Sequence, residues 1–136
     1  MFILDTDMSS YIMKRVDPPL MERVRGYSPR ELKVSSITAF ELEYGARRSN
    51  RYDSLIRVIL AFLDNVEVLP FTKDAAREAG AIRANLAAEG RTIGSYDLLI
   101  AGHARSLGAI LVTNNVDEFS RVMDLSIENW ATRPKP

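Results

Sequence analysis

Phe2-Ile3-Leu4-Asp5-Thr6-Asp7 decides the fold. Three apolar residues stop abruptly at an acid, which is how a buried parallel strand reads at its carboxyl end. The same sentence is written again near the other terminus: Ala109-Ile110-Leu111-Val112 runs into Thr113-Asn114-Asn115. Two more strands are expected at Leu32 to Ser36 and Val66 to Leu69, the latter ended by Pro70, and a short last one near Leu125 to Ile127. Between them lie helical patterns. Thr6 and Asp7 are placed to cap a helix through Tyr11 and Ile12, Pro18-Pro19 interrupts it, and a second helix follows around Leu20 to Arg25. Ile37, Phe40 and Tyr44 are spaced for one buried helical face, and Leu55, Ile56, Ile59, Leu60 and Leu63 repeat the signal within 50–63. An Ala-rich helix over 72–89 closes at Gly90, and another runs from Ser95 to near Leu107-Gly108. Trp130 is expected to seal the last strand against the body, with Arg133 to Pro136 a frayed tail.

Strands alternating with helices imply a parallel sheet covered on both faces, joined by right-handed crossovers. The fold class is therefore α/β: a three-layer α/β/α sandwich with a central parallel sheet of four to five strands. With 136 residues, 46% of them apolar, one domain over residues 1–136 is expected. Ligands bind such sheets beyond the carboxyl ends of the strands, so polar residues there are the functional candidates.

Composition narrows the chemistry. Cysteine is absent, which removes disulfides, thiolate nucleophiles and sulfur-bound zinc. The one histidine, His103, lies between Gly102 and Ala104 on a helix and reads as a packed residue rather than a triad member. Lys plus Arg and Asp plus Glu both number 18, so nucleic-acid binding must rest on local patches. Arg47, Arg48, Arg51 and Arg57 form the densest basic stretch, readable as a phosphate track or as a solvated helix face. Tyr11, Tyr44, Tyr52 and Tyr96 are candidates for stacking on unpaired bases, with core packing expected for at least half of them. The apolar start is too short for a signal peptide and no run spans a bilayer, so no membrane association and a cytoplasmic location are expected.

Carboxylates remain. Asp5 ends the first strand, Asp97 lies in the first turn after Gly94-Ser95, Glu41 sits early on the helix after the second strand, and Asn115, Asp117 and Glu118 follow the fourth. Singly, each has a structural reading as a cap, a helix-terminal charge, a solvated residue or turn chemistry. Jointly they would crowd one mouth of the sheet. Two carboxylates roughly 4 Å apart repel by about 4 kcal/mol at an effective dielectric near 20, so the cluster persists only with protonation or a cation. Oxygen donors point to Mg²⁺ or Mn²⁺, bound through carboxylates and substrate phosphates, with a bound water as nucleophile.

The first motif, together with Ser35-Ser36-Ile37-Thr38-Ala39-Phe40-Glu41-Leu42-Glu43-Tyr44-Gly45, Gly94-Ser95-Tyr96-Asp97-Leu98-Leu99-Ile100-Ala101-Gly102-His103-Ala104, and Val112-Thr113-Asn114-Asn115 through Glu118-Phe119, resembles PIN-domain toxins of the VapC type. The likeness runs through nearly the whole chain, motif by motif and in order. It implies a PIN-like fold and a Mg²⁺-dependent endoribonuclease, the toxin of a type II toxin–antitoxin pair. Asp5 and Asp97 would be the metal ligands and Glu41 a third acid. Implied partners are RNA loops of transfer or ribosomal RNA, a cognate antitoxin, operator DNA only through that antitoxin, and a second copy in a homodimer. Two positions depart from the family pattern. Asp7 stands where Asn is usual, read here as a helix cap or a draw for a second cation. Asn115 stands at the fourth acidic position, leaving Glu118 or Asp117 to supply that charge. A phosphatase-like or phosphoryl-receiving α/β domain is the rival reading; it needs a nucleophilic Asp near a Lys, and no Lys follows the fourth strand near the mouth.

Overall fold

A computed structural model describes residues 1–133. It contains β1 (Phe2–Leu4), α1 (Thr6–Lys14), α2 (Pro18–Arg25), β2 (Leu32–Ser35), α3 (Ser36–Arg47), α4 (Tyr52–Asp64), β3 (Glu67–Leu69), α5 (Lys73–Ala88), α6 (Ser95–Ser106), β4 (Ile110–Val112), α7 (Val116–Phe119) and β5 (Ser126–Glu128). The five strands form one sheet in the order β3-β2-β1-β4-β5, and every pairing is parallel. Of the expected tail, only Arg133 falls within the described residues.

Register explains where the mouth lies. Leu4 of β1 stands opposite Val34 of β2 on one side and Val112 of β4 on the other. One residue further on, β1 and β4 therefore deliver Asp5 and Thr113 side by side, and the Asp5 N–H still donates to the Val112 carbonyl at 3.0 Å. Because side chains alternate along a strand, Ile3 and Leu111 face one layer while Leu4, Val34 and Val112 face the other. The first set packs with Ile82 and Leu86 of α5 and Leu98, Ile100, Ala101 and Ala104 of α6. The second packs with Met8 and Ile12 of α1, Leu20 of α2 and Trp130. Both faces are covered, which gives the three layers expected. Trp130 is buried, stacked on Tyr27 at 5.2 Å and edge-on to Phe2, and so seals the end of the sheet as its position implied.

Helix ends follow local chemistry. Gly90 and Gly108 adopt φ of +69° and +60°, conformations that only glycine enters without strain, and each follows the C-terminus of a helix. Arg91 N–H and Ala109 N–H then return to the carbonyls of Leu86 and Ala104, satisfying ends of α5 and α6. Pro18 occupies the first turn of α2, with Asp17 as its N-cap; the prolines start that helix instead of merely separating two, so it begins before Leu20. Ser36 belongs to α3 rather than to β2, because the Ser35 hydroxyl accepts from the Ile37 N–H and caps the helix.

Two helical faces differ from expectation. On α3 the buried stripe is Thr38, Leu42 and Ala46, while Phe40 and Tyr44 are 49% and 57% exposed and only Ile37 of the expected set packs inward. On α4, Leu60 is exposed and Ile59 carries the fully buried contact, with Leu55, Ile56 and Leu63 half-buried. The spacing on α3 was compatible with either stripe. Packing against α4 selects the narrower residues, because Leu42, Ala46 and Ile59 form a small cluster of their own. Where α5 meets α6 the backbones touch: a Cβ on Gly102 would lie 2.6 Å from the Ala79 nitrogen.

Candidate active site

Asp5 is the N-cap of α1. Its Oδ1 accepts from the Met8 N–H at 2.7 Å, and its Oδ2 accepts from the Thr113 hydroxyl at 2.5 Å. Neither Thr6 nor Asp7 is the cap. Asp7 lies inside the first turn and is exposed. Thr113 in turn accepts from the Asn115 N–H at 2.9 Å, so the end of β4 is tied to the end of β1 through one hydroxyl.

That tie directs α7, a short helix absent from the expected elements. It folds Glu118 back toward the sheet, where its Oε2 accepts from Asn115 Nδ2 at 2.5 Å and its Oε1 from the Gly94 N–H at 2.6 Å. Gly94 is the N-cap residue of α6, three positions before Asp97. A Cβ built on Gly94 would stand 3.3 Å from Asp97 Oδ2 and 3.6 Å from Glu118 Oε1, so Gly94 lies against both carboxyls. Asn115 and Glu118 are thus both at the mouth, Asn115 as the donor that orients Glu118. Asp117 is exposed on α7.

Electrostatics record the crowding. The Asp97 carboxyl is pushed up to about 7: burial is the largest cause, followed by the charge of Glu118, that of Asp5, a hydrogen bond with Glu118, and the charge of Asp7. A helix N-terminus favours an anion, yet here the neighbouring acids and desolvation outweigh it. Glu41 enters from α3. Thr6 donates to its Oε1 at 2.7 Å, and Thr6 and Thr38 hydroxyls are 3.0 Å apart. Desolvation raises the proton affinity of Glu41, the Thr6 bond opposes this, and Asp7 adds to it. The charge of Asp7 thus acts on both Glu41 and Asp97.

A divalent cation fits this donor set. Among the described residues, Glu41, Asp97 and Glu118 take part in no ion pair with Lys or Arg, so no basic side chain there neutralises these three carboxyls. Also among the described residues, no three acids or imidazoles meet as a ready-made metal cage. An open, all-oxygen arrangement suits a small hard ion that retains waters and takes further oxygens from a phosphate. A cavity of about 690 Å³ between α2 and α4 is lined by none of these acids.

His103 is buried and its Nδ1 lies 2.8 Å from the Ser35 hydroxyl, with Phe71 edge-on; burial lowers its proton affinity, as befits a packed neutral imidazole. Arg47 is paired to Glu43, and all four arginines of the basic stretch are exposed. Tyr11 and Tyr52 are half-buried, whereas Tyr44 and Tyr96 are exposed. Thr6, Gly94 and Thr113 were not among the expected site residues. The signal for Thr113 was its place one residue past β4 beside Asp5, and for Gly94 its place three before Asp97.

A PIN domain model matches residues 2–125. The chain is 41% identical over 130 residues to the tRNA(fMet)-specific endonuclease VapC of Shigella flexneri, covering 96% of this chain and 98% of that protein. Its fold is similar to that in the crystal structure of DNA-bound VapBC from Salmonella typhimurium, with a TM-score of 0.91, 40% identity, and coverage of 96% and 98%. It is also similar to VapBC2 from Rickettsia felis bound to a DNA fragment from their promoter, with a TM-score of 0.84, 33% identity, and coverage of 95% and 98%. A parallel sheet with an acid mouth, a family model over most of the length and relatives aligned nearly end to end agree: the chain belongs to the PIN-domain family, in its VapC branch.

Proposed function

We propose that this protein is a metal-dependent endoribonuclease that serves as the toxin of a toxin–antitoxin pair. The observation that carries the reading is the meeting of Asp5, Asp97 and Glu118, from three separate elements, around one hydroxyl and one glycine amide. Asp5 and Asp97 would hold the ion, Mg²⁺ in the first place and Mn²⁺ as a substitute. When bound, that ion supplies an acidified water and neutralises charge on the phosphoryl oxygens.

Each side chain has a task in the in-line displacement. Met8 N–H and Thr113 fix both Asp5 oxygens, so Asp5 is oriented before substrate arrives. Gly94 N–H and Asn115 hold Glu118 beside Asp97. Glu41, with Oε1 accepting from Thr6, would orient the attacking water and take its proton as the new bond to phosphorus forms and the bond from phosphorus to the leaving ribose oxygen breaks, that oxygen taking a proton from solvent. No histidine takes part in this scheme, and His103 stays buried on Ser35.

The relatives named above are an endonuclease specific for tRNA(fMet) and toxins solved together with antitoxin on DNA. By the same logic this chain takes an RNA substrate and a cognate antitoxin, and reaches operator DNA only through that antitoxin, since its charges balance to zero. Such a role places it in the cytoplasm; none of its described helices is long and apolar enough to cross a membrane. The test is sequencing of RNA ends after brief expression. Discrete new ends are expected from the parent and not from Asp5→Ala, and chelation in the purified reaction abolishes them. Ends that appear equally with both proteins overturn the assignment.

A further inference from the structure

The turn that follows α7 grips the chain entering α6, and the grip lies against the acids. Arg121 Nη1 donates to the Thr92 carbonyl at 3.0 Å, while Glu118 Oε1 accepts from the Gly94 N–H at 2.6 Å. These two backbone groups stand on either side of Ile93, whose side chain packs on the core cluster that contains Leu98 and Ala101. Both side chains come from one turn, because the Arg121 N–H donates to the Glu118 carbonyl at 3.2 Å. The grip reaches the mouth through contacts: Gly94 lies against the Asp97 and Glu118 carboxyls alike. Arg91 N–H returns to Leu86 and Leu98 N–H to the Gly94 carbonyl, so backbone bonds tie this segment to α5 and α6. Among the described residues, Arg121 and Glu118 are what tie it to the α7 turn. A second arginine closes the other end of that turn: Arg105, in the last turn of α6, donates to the Met123 carbonyl at 3.0 Å.

We propose that Arg121 is a positioning residue for the reaction: by holding the Thr92 carbonyl it keeps residues 92–94 against the α7 turn, so that the Gly94 N–H stays on Glu118 and Glu118 stays beside Asp97. The inference rests on the nuclease reading above and adds a residue that acts through Glu118. Two carboxyls side by side push apart, and one amide donor on a loop yields to that push unless the loop is held. Arg121 holds it through a guanidinium on a neutral carbonyl, a charge-assisted bond that bypasses the carboxyls. It makes no ion pair among the described residues, so no acid draws the guanidinium off Thr92. Misplacing a reacting group by about 1 Å costs on the order of a hundredfold in rate, so a loosened Glu118 is read in turnover. Direct contact with an RNA phosphate is the competing role of an exposed guanidinium; engagement on Thr92 favours positioning, and the two roles move different quantities.

Proton–nitrogen NMR of the metal-free protein reads the tether at the Gly94 amide, apart from cleavage, with Glu118→Ala marking where the resonance lies once the bond is lost. Arg121→Gln, too short to hold the carbonyl, and Arg121→Met, which has no donor, are expected to move it well toward the Glu118→Ala position. Arg121→Lys keeps a donor for Thr92 and leaves it near the parent. On a hairpin RNA with Mg²⁺, the Gln and Met variants lower kcat about tenfold with KM within about twofold of the parent, and Arg121→Lys restores kcat to within about threefold. Arg105→Gln is the control on the same turn. Arg105 is more buried than Arg121 and also pairs with Glu78, so its loss lowers Tm at least as far, while kcat and the Gly94 resonance stay with the parent. A Gly94 resonance that does not move in Arg121→Gln or Arg121→Met overturns the tether. A raised KM and a shallower salt dependence with that resonance unmoved assign Arg121 to an RNA phosphate and likewise overturn it. So does Arg105→Gln if it shifts Gly94 as far as Arg121→Gln, since the effect is then one of general stability. A parent that cuts no RNA sinks the nuclease reading, and the Gly94 resonance still decides the tether.

Discussion

Asp5 and Asp17 are built alike and do opposite things. Both are buried, both cap a helix through Oδ1, and both accept a threonine hydroxyl at 2.5 Å, from Thr113 and Thr132 respectively. Asp17 adds the Thr132 N–H at 2.7 Å. Burial alone would raise its proton affinity, but the Thr132 and Leu20 bonds and the charge of Arg133 win, and its carboxyl ends below the ordinary range. Asp5 faces other acids instead, and its charge helps to push Asp97 up. The local cap is therefore silent about role. What separates a structural carboxylate from a candidate ligand is the charge around it, a cationic Arg133 near Asp17 and other acids near Asp5.

The widest split between the two is expected from isosteric substitution. Asp5→Asn keeps an oxygen for the Met8 N–H and the side-chain volume, yet loses the charge; cleavage of RNA falls by about 10²–10³ while the thermal midpoint moves little. Asp17→Asn keeps cleavage close to the parent and costs about 1–3 kcal/mol, because one of its Thr132 donors loses a charged acceptor. For a domain of this size that is a fall in Tm of about 4–12 °C. Urea titration and a cleavage assay on both variants measure the pair. Equal losses of activity would erase the distinction.

Gly102→Ala disturbs one region and spares the other. The added methyl meets Ala79 backbone at 2.6 Å and must push α6, and with it Asp97, away from α5. The expected cost is about 1–3 kcal/mol, together with reduced cleavage, since Asp97 rides on the displaced helix. The Asp17 corner, formed by α2 and Thr132, lies outside that contact, so the amides of Leu20 and Thr132 keep their hydrogen-exchange protection.

Much of this was readable before any coordinates. Apolar runs ending at Asp5 and at Thr113 specify parallel strands with polar carboxyl ends, and the register then brings them together without further information. Faces of helices were less legible: α3 carries both Ile37-Phe40-Tyr44 and Thr38-Leu42-Ala46 at helical spacing, and only the partner helix α4 decides which is inside. Glu118 was legible as a charge near the mouth but not as a neighbour of Asp97, because that depends on a four-residue helix and on a glycine amide 24 positions away. The sharing of Thr113 between Asp5 and Asn115 is likewise a tertiary fact.

The acids also predict opposite responses to pH. Asp17 is held below the ordinary carboxylate range, so its contribution is complete above that range and lost as the pH falls through it. Asp97 is raised from 3.8 to about 7, so the metal-free fold prefers the protonated acid; stability declines as the pH rises from about 4 through 7, where the unfolded chain has already released the proton. Asp97→Asn removes that decline. After allowance for solvent screening, the gain at pH 8 without metal is about 1 kcal/mol, or about 3–5 °C in Tm, and it vanishes near pH 4. Added Mg²⁺ stabilises the parent more at pH 8 than at pH 5 and leaves Asp97→Asn nearly unmoved.

The finest distinction lies among the neighbours of Asp97 themselves. Glu118 acts on it through both charge and a hydrogen bond, whereas Asp7 acts through charge alone and is the smallest of the causes. Carboxyl-carbon NMR titration of the metal-free protein should therefore place the Asp97 midpoint lowest in Glu118→Gln, intermediate in Asp7→Asn and highest in the parent. Raising the salt concentration should narrow the gap between Asp7→Asn and the parent, because the exposed Asp7 charge is open to screening. It should hardly change the Glu118→Gln shift, part of which comes from a hydrogen bond that ions do not screen. Asp7→Asn should also lower the Glu41 midpoint, which Glu118→Gln should leave alone, since Asp7 acts on Glu41 and Glu118 does not. A parent and Asp7→Asn protein with identical Asp97 and Glu41 midpoints would mean that Asp7 is a solvated helix charge, and that the mouth consists of the Asp5, Asp97 and Glu118 group with Glu41 standing apart on the Thr6 side.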